Sequence, residues 1–188
     1  MLGLSIDPGL ETGVCLFSWS EEQPIIVEGV YQFPHGAAGL AAFLDKEQIR
    51  VVNPGPEGFM KIRGHRLDVL VVERFTPRPN EMFSHTRKSV ESLRGEGALI
   101  SRYFEPFIEW AEPSQQYFMG NSGFTLPQKK SLSRGFLKAQ DMHVTGGDVG
   151  RPNADDAISA TLHAVAYLRR KKHRPTLVEL FGPEEVES

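Results

Sequence analysis

The sequence predicts an α/β protein built on one mixed sheet, and three observations lead to this prediction. Apolar residues alternate in segment 2–7, as they do in a strand with one buried face. Segment 67–75 (LDVLVVERF) is nearly continuous in Val and Leu, which is typical of a central strand covered on both faces. Segments 84–104 and 155–170 repeat their apolar residues at helical spacing. Alternating elements of this kind predict a sheet with helices packed on it.

The first half of the chain is expected to begin with an antiparallel meander. Pro8 and Gly9 break the first strand, and short turns separate it from two further apolar segments. A helix follows, with Leu40, Phe43 and Leu44 on one face. The predicted elements are strands at 2–7, 13–17 and 25–33, a helix at 37–49, and a loop at 53–65 that is rich in Pro, Gly and charges.

The second half adds two strands and three helices, which gives a five-stranded sheet. After the strand at 67–75 come a helix at 84–104, a short strand at 107–111, and helices at 128–139 and 155–170. The first of these helices has an apolar stripe that we expect to face the core: Val90, Leu93, Gly97, Ile100 and Phe104. We expect one domain over 1–174 and an acidic, flexible tail over 175–188.

Composition limits the classes of function. The chain has 188 residues with 21 basic and 24 acidic side chains, a net charge of −3, which argues against coating nucleic acid by bulk positive charge. Its hydrophobic fraction of 40% is that of a globular protein rather than a disordered chain. The one cysteine, Cys15, excludes an intramolecular disulfide framework and a Cys-cluster zinc site. We therefore expect a protein without a signal peptide, in the reducing cytoplasm.

Positive charge is nevertheless concentrated locally. Segment 61–102 holds nine basic and five acidic residues, an excess of four. Its basic residues are Lys61, Arg63, Arg66, Arg74, Arg78, Arg87, Lys88, Arg94 and Arg102. Such a segment is either a solvated surface or a site of phosphate contact.

Carboxylates stand at unusual positions. Asp7 ends the first strand, Glu73 lies in the most apolar strand, and Asp155 and Asp156 open an apolar helix. Each has a structural alternative: Asp-Pro-Gly is a common turn, Glu73 can pair with a cation, and acidic residues suit a helix start that Asn153 can cap. Together they form one candidate cluster of oxygen ligands. Such ligands without Cys or a nearby His favour Mg²⁺ or Mn²⁺ over zinc.

Three segments carry a resemblance to a known family. Residues 6–13 (IDPGLETG), 71–75 (VVERF) and 153–157 (NADDA) resemble, in order and approximate spacing, the RuvC family of Holliday junction resolvases. This family belongs to the ribonuclease H-like superfamily. The length suits a single resolvase domain, and the overall look of the sequence suggests a phage-type relative. The resemblance implies a ribonuclease H-like fold and metal-dependent hydrolysis of branched DNA by a homodimer that makes paired nicks. It also implies two Mg²⁺ ions per site, for which Mn²⁺ can substitute, and a bacterial or phage-infected cell.

The resemblance assigns catalytic and metal-binding roles to individual residues. Asp7 matches the family's first-strand aspartate, Glu73 the glutamate of the central strand, and Asp156 the helix aspartate. The family usually has an Asp or His three residues before the last of these, where this chain has Asn153. An amide offers a metal an oxygen but no charge. Asp155 is a second-tier ligand candidate, since neighbouring helix residues point about 100° apart.

The resemblance also suggests residues that contact DNA. Phe75 follows the central strand where the family places an aromatic at the junction's crossover point, although it is equally well placed to end the core of that strand. The basic candidates are Arg74, Arg78, Arg87, Lys88, Lys129 and Lys130.

Other functions fit parts of the pattern. The carboxylates equally suit another ribonuclease H-like nuclease, acting on RNA–DNA hybrids or of the terminase type. Asn153 motivates a junction-binding protein with an impaired site. The Asp-x-Gly turn also resembles the phosphate motif of actin-like ATPases, but those need two such domains and 188 residues cannot supply them.

Overall fold

A computed structural model describes residues 1–53, 55–75, 87–102, 104–112, 144–145 and 155–183, with backbone alone for 87–89, 144–145 and 155. In chain order the elements are β1 (Leu2–Asp7), β2 (Thr12–Ser18), β3 (Ile26–Phe33), α1 (Gly36–Lys46), β4 (Arg50–Val52), β5 (Phe59–Ile62), β6 (His65–Leu67), β7 (Val69–Glu73), α2 (Arg87–Ile100), a 3-10 turn (Glu105–Phe107), β8 (Ile108–Ala111), β9 (Val144–Thr145), α3 (Asp155–Arg170) and α4 (Arg174–Phe181).

The large sheet is mixed, as the sequence predicts. Its strand order is β8-β7-β1-β2-β3-β9. β2 pairs antiparallel with both β1 and β3, which confirms the opening meander. β7 runs parallel to β1 and β8, and β9 runs parallel to β3. The five expected strands are therefore present, and the two-residue β9 makes a sixth.

Each face of this sheet has its own hydrophobic core. Cys15, Val71 and Ala111 belong to the core that α3 covers. Leu4, Ile6 and Val72 belong to the opposite core, with Leu40 and Leu44 of α1 and Leu99 of α2. Because side chains alternate along a strand, consecutive residues of β1 and β7 enter different cores. Both faces are covered, which explains the continuous apolar run in β7.

The stripe predicted for helix α2 is confirmed only in part: Phe104 is buried, although it lies beyond the end of the helix, but two of its large apolar members are exposed. Leu93 is 53% exposed and Ile100 is 40% exposed, whereas Leu99 is fully buried. Gly95 packs against Pro8, and a Cβ at that position would lie 2.9 Å from the proline Cβ. At Gly95 the helix therefore comes close to the turn after β1, an approach that hydrophobic spacing alone does not predict.

The predicted loop at 53–65 is wrong in part, because β5 and the first residue of β6, which belong to a small antiparallel sheet, lie within it. The order of this sheet is β4-β5-β6, and Met60, Ile62 and Leu67 are buried from it. Arg63 and Gly64 both have positive φ, 50° and 86°, as the two-residue turn of a hairpin requires. The strands are too short for their alternation to stand out among the charged residues.

The C-terminal segment also differs from the prediction. The expected tail over 175–188 begins with a packed helix, α4, in which Thr176 and Leu177 are buried. The Thr176 hydroxyl accepts a hydrogen bond from Ile25 N at 2.8 Å, and Leu180 and Phe181 pack on the α3 core. The acidic count misled the prediction because Leu177, Leu180 and Phe181 recur at helical spacing among the glutamates. Residues 184–188 and the predicted helix at 128–139 lie outside the described residues.

Within the described ranges, no helix has the length and apolar character needed to cross a membrane.

Candidate active site

Two of the predicted carboxylates end neighbouring parallel strands. Asp7 is the last residue of β1 and Glu73 the last of β7. The register pairs Ile6 with Val72, so Asp7 and Glu73 are the next positions on the two strands. Since their predecessors Ile6 and Val72 enter the core opposite α3, both carboxylates lie on the α3 face. Both are half-buried at this edge of the sheet.

The same row continues across the meander. Asp7 is paired with Gly13 of β2, and Gly13 is paired with Gln32 of β3. The row therefore reads Glu73, Asp7, Gly13, Gln32 from one strand to the next. Gly13 leaves a gap between two polar side chains on the face that α3 covers.

The start of α3 lies over that gap and brings Asp156 to the row. A Cβ built on Gly13 would lie 2.0 Å from the carbonyl oxygen of Asp156 and 2.4 Å from Ala157 N. Only glycine permits this approach of helix backbone to strand. Asp156, in the first helical turn and half-buried, therefore stands beside the row that contains Asp7 and Glu73.

A buried glutamine of β3 hydrogen-bonds to the start of α3. Gln32 is 6% exposed. Its Oε1 accepts a hydrogen bond from Ala157 N at 3.2 Å, and its Nε2 donates to Glu11 Oε2 at 2.7 Å. This amide satisfies one of the first N–H groups of α3, which have no partner inside the helix. Gln32 was not predicted from the sequence, because nothing local to a strand glutamine indicates a partner 125 residues away.

A buried histidine holds Glu73. His163 of α3 is fully buried, and its Nε2 lies 2.5 Å from Glu73 Oε2. A carboxylate that binds a metal ion can only accept hydrogen bonds, and in that state the histidine would be the donor. His163 was missed, although it follows Asp156 by seven residues. That interval is about two helical turns and puts the two residues on one face of the helix.

The residues after β7 are tied to α2 and β8. Phe75 N donates a hydrogen bond to Glu96, and burial raises the pKa of this carboxyl while the hydrogen bond opposes the rise. Arg74 is exposed, with its guanidinium 5.1 Å from the centre of the Trp110 ring and Nη1 4.0 Å from Glu112 Oε1. Phe75 itself is half-buried at the edge that carries the carboxylates.

The remaining predicted site residues are placed only in part. Arg87 and Lys88 open α2 and Asp155 opens α3, and their side chains lie outside what is described. Asn153, Arg78, Lys129 and Lys130 also lie outside the described residues.

The donor set suits magnesium in one respect. Among the side chains described, no three of His, Cys, Asp or Glu are grouped so as to hold a metal ion by themselves. Magnesium seldom uses such a closed cage: one or two carboxylates usually bind it, with water and substrate phosphate completing the shell. The two carboxylates at adjacent strand ends, Asp7 and Glu73, are consistent with such a site.

Comparison with known proteins supports the fold. No protein-family model matches the sequence, and no curated protein does. Among solved structures, Thermus thermophilus RuvC in complex with a Holliday junction substrate has a TM-score of 0.55 at 15% identity, covering 91% of this chain and 96% of that one. A second Thermus thermophilus RuvC structure has a TM-score of 0.51 at 17% identity, covering 91% and 97%. The yeast mitochondrial Holliday junction resolvase Ydc2 has a TM-score of 0.53 at 16% identity, covering 95% and 83%.

These likenesses extend over nearly the whole chain and confirm the ribonuclease H-like architecture. The chain therefore has the fold of the RuvC-like Holliday junction resolvases.

Proposed function

We propose that this protein is a structure-selective endodeoxyribonuclease that resolves Holliday junctions and related branched DNA by metal-dependent hydrolysis. The observation that carries this proposal is the placement of Asp7 and Glu73 at adjacent parallel strand ends, with Asp156 held beside them by the contact between Gly13 and α3. The two solved RuvC structures and Ydc2 supply the substrate class, since one of them holds a Holliday junction.

In this proposal the residues of the site have different roles. Asp7 and Glu73 would bind Mg²⁺ ions, two per site, with Asp156 and, beyond the described residues, Asn153 or Asp155 as further ligands. These ions, when bound, would activate a water molecule and neutralise charge at the phosphate that is cut. His163 is a positioning residue that fixes the orientation of Glu73. Gln32 and Gly13 fix the start of α3, so the catalytic carboxylates are held by rigid elements rather than by a loop.

DNA contact is proposed for the residues that follow the site. Phe75 and Arg74 lie directly after Glu73, where an aromatic ring and a cation can meet a base and a phosphate. Arg78, Arg87, Lys88, Lys129 and Lys130 are retained as candidates for phosphate contact.

A homodimer is part of the proposal, because paired nicks need one active site for each of two strands. The exposed Leu93 and Ile100 of α2 support it, since they give a helix face with apolar side chains that the described core does not use. Leu93→Lys is expected to lower the sedimentation coefficient to that of a monomer. Ile26→Lys, an exposed apolar residue on β3, is the matched control and is expected to leave it unchanged.

The test of the function compares three labelled substrates: a four-way junction, a linear duplex of the same sequence, and an RNA–DNA hybrid. With Mg²⁺ or Mn²⁺ we expect paired nicks in the junction, and with EDTA none. Preferential cutting of the hybrid would replace the resolvase by another ribonuclease H-like nuclease. Junction binding without cutting in either metal would identify a binding protein with an impaired site.

Asp7→Asn tests the assignment of the site. It removes the charge of a proposed ligand and keeps its shape, so junction binding is expected to persist while cutting is lost. Asp45→Asn makes the same change in α1, where the carboxylate pairs with Arg102, and is expected to cut like the wild type. Equal activity of the Asp7 variant and the wild type would remove Asp7 from the site.

We also propose a cytoplasmic location in a bacterial or phage-infected cell. The free thiol of Cys15, buried and unbridged, suits a reducing compartment.

A further inference from the structure

A row of three cations crosses the small sheet. The register pairs Arg50 of β4 with Lys61 of β5, and Lys61 with Arg66 of β6. Residues paired across strands project to the same side of a sheet. We call Arg50, Lys61 and Arg66 the cationic row.

The cationic row faces away from the protein. The neighbouring row on β5 and β6, Met60 and Leu67, is buried in the core with Leu4 and Leu70. Side chains alternate along each strand, so Lys61 and its partners lie on the other side. Arg50 and Arg66 are exposed and Lys61 is half-exposed.

The charges of the row are only partly compensated. Asp68 Oδ1 lies 3.6 Å from Arg66 Nε, in an ion pair where the arginine side chain remains 72% exposed. In the part of the chain that is described, no carboxylate lies within salt-bridge distance of Arg50 or Lys61. Like charges directly opposite each other destabilise a sheet, so the row needs an explanation outside the fold.

Protection of a sheet edge does not explain the row. Charged residues on edge strands prevent pairing with other chains, which would account for Arg50 on β4 and Arg66 on β6. Lys61 lies on β5, the central strand of the three. Two of the cations make cation–π contacts with one aromatic ring: Lys61 Nζ and Arg66 Cζ lie 5.4 and 5.7 Å from the centre of the Phe59 ring. The ring orients both groups over one surface.

We infer that the cationic row binds the sugar–phosphate backbone of a duplex arm of the DNA that the candidate active site cuts. This inference rests on the proposed function for its partner. A line of three cations on the exposed face of a sheet suits a polyanion, and such contacts position a protein without reading sequence. Arg66 and Glu73 are seven residues apart in the sequence, so their Cα atoms are at most about 25 Å apart, or about seven base pairs of duplex.

The test measures salt dependence of binding for the triple variant Arg50→Gln, Lys61→Gln, Arg66→Gln. Each phosphate contact contributes about 0.9 to the slope of log K against log salt concentration. Arg66 is partly neutralised by its ion pair with Asp68, so we count the row as about two phosphate contacts rather than three. Their loss should make the slope smaller by about 1.8. Between 50 and 200 mM salt, the ratio of wild-type to variant affinity should then fall about tenfold (4 raised to the power 1.8).

The control removes the same charge elsewhere. Lys171→Gln, Lys172→Gln, Arg174→Gln changes three exposed cations, two between α3 and α4 and one at the start of α4, and is expected to keep the wild-type slope. Binding is measured by fluorescence anisotropy with a labelled linear duplex and with a four-way junction. The single variant Lys61→Gln, expected to lower the slope by about 0.9, replaces the triple variant if thermal melting shows the latter to be unfolded.

The outcomes separate this inference from the proposed function. A wild type that cuts junctions while the row variant keeps its affinity and slope would overturn the inference and leave the function standing. A wild type that binds duplex but cuts no junction, with a smaller slope for the row variant, would support the row and overturn the function. If the control variant loses as much slope as the row variant, the effect comes from net charge alone and the inference is overturned. A wild type that binds no DNA would overturn both the inference and the proposed function.

Discussion

The contact between Gly13 and α3 allows a sharp test of how the site is built. Gly13→Ala adds one methyl group at a position where the helix backbone leaves no room. The added Cβ would lie 2.0 Å from Asp156 O and 2.1 Å from Asp156 C, whereas real Cβ contacts are essentially never shorter than 3.0 Å. Gly13 is not among the glycines with positive φ, so the backbone conformation itself accepts alanine.

The size of the effect follows from that geometry. The start of α3 must move away from β2 by at least 1.0 Å, the difference between 3.0 and 2.0 Å, because both colliding atoms belong to backbone. Overpacking of this kind costs about 1–3 kcal/mol of stability. A displacement of about 1 Å at an active site can reduce the rate about 100-fold. The movement also stretches the 3.2 Å hydrogen bond between Ala157 N and Gln32.

The assay combines urea unfolding with single-turnover cleavage of a four-way junction. We expect a lower midpoint at an unchanged m-value, together with about 100-fold slower cleavage and unchanged junction affinity. Gly29→Ala is the matched control, since its Cβ would meet side-chain atoms of Tyr31, the nearest at 2.7 Å, rather than the backbone of α3. The control is expected to cut at the wild-type rate.

Two results would refute the reasoning. Wild-type stability of the Gly13 variant would mean that α3 does not rest on β2 at this point. Reduced stability with wild-type cleavage would mean that the helix start is seated there but that Asp156 does not act in the reaction.

Three further predictions address neighbouring groups. His163→Phe is expected to raise the Mg²⁺ concentration needed for half-maximal cutting about 10- to 100-fold, with partial recovery in His163→Gln; an unchanged Mg²⁺ requirement would end its positioning role. Burial raises the pKa of Glu96, so its contribution to stability is largest in acid and declines as pH rises through that pKa. Glu96→Gln, whose amide oxygen still accepts from Phe75 N, should therefore raise the urea midpoint at pH 7 but not at pH 4, and equal midpoints at pH 7 would contradict this. Burial raises the pKa of Cys15 from 9.0 to about 12, so thiol reagents at pH 8 should label it only after unfolding, and stability should decline above pH 9. Rapid labelling of the folded protein would contradict the assigned core.

The sequence predicted those parts of the molecule whose cause is local. β1 and β7 were recognisable because a carboxylate after an apolar strand is unusual in itself, and α3 because its apolar residues follow Asp155 and Asp156 at helical spacing. The meander followed from the Pro8-Gly9 break and from alternation on either side of it. Each of these signals is contained within about ten residues of chain.

The parts that were missed depend on contacts between distant segments. Gly13 looks like an ordinary first residue of a strand until α3 is placed on it, and Gln32 has no recognisable role without Ala157. The small sheet was read as loop because Pro, Gly and charges interrupt any period in its segment, and α4 was read as tail because the chain after Pro175 ends in glutamates. Their buried residues are few, and each is stabilised by elements far away in sequence.

The error in α2 connects the fold to the proposed assembly. The stripe containing Leu93 and Ile100 was predicted to be buried on the strength of its period, and the structure instead places both at the surface while Leu99 enters the core. A helical apolar pattern shows that a face is suited to burial and does not identify the partner that buries it. One helix here carries both a core face and an exposed apolar face. Loss of dimerisation in the Leu93 variant, with dimerisation kept in the Ile26 variant, would mean that the exposed part of the stripe is buried after all. The surface that buries it would then belong to a second copy of the chain rather than to the same copy.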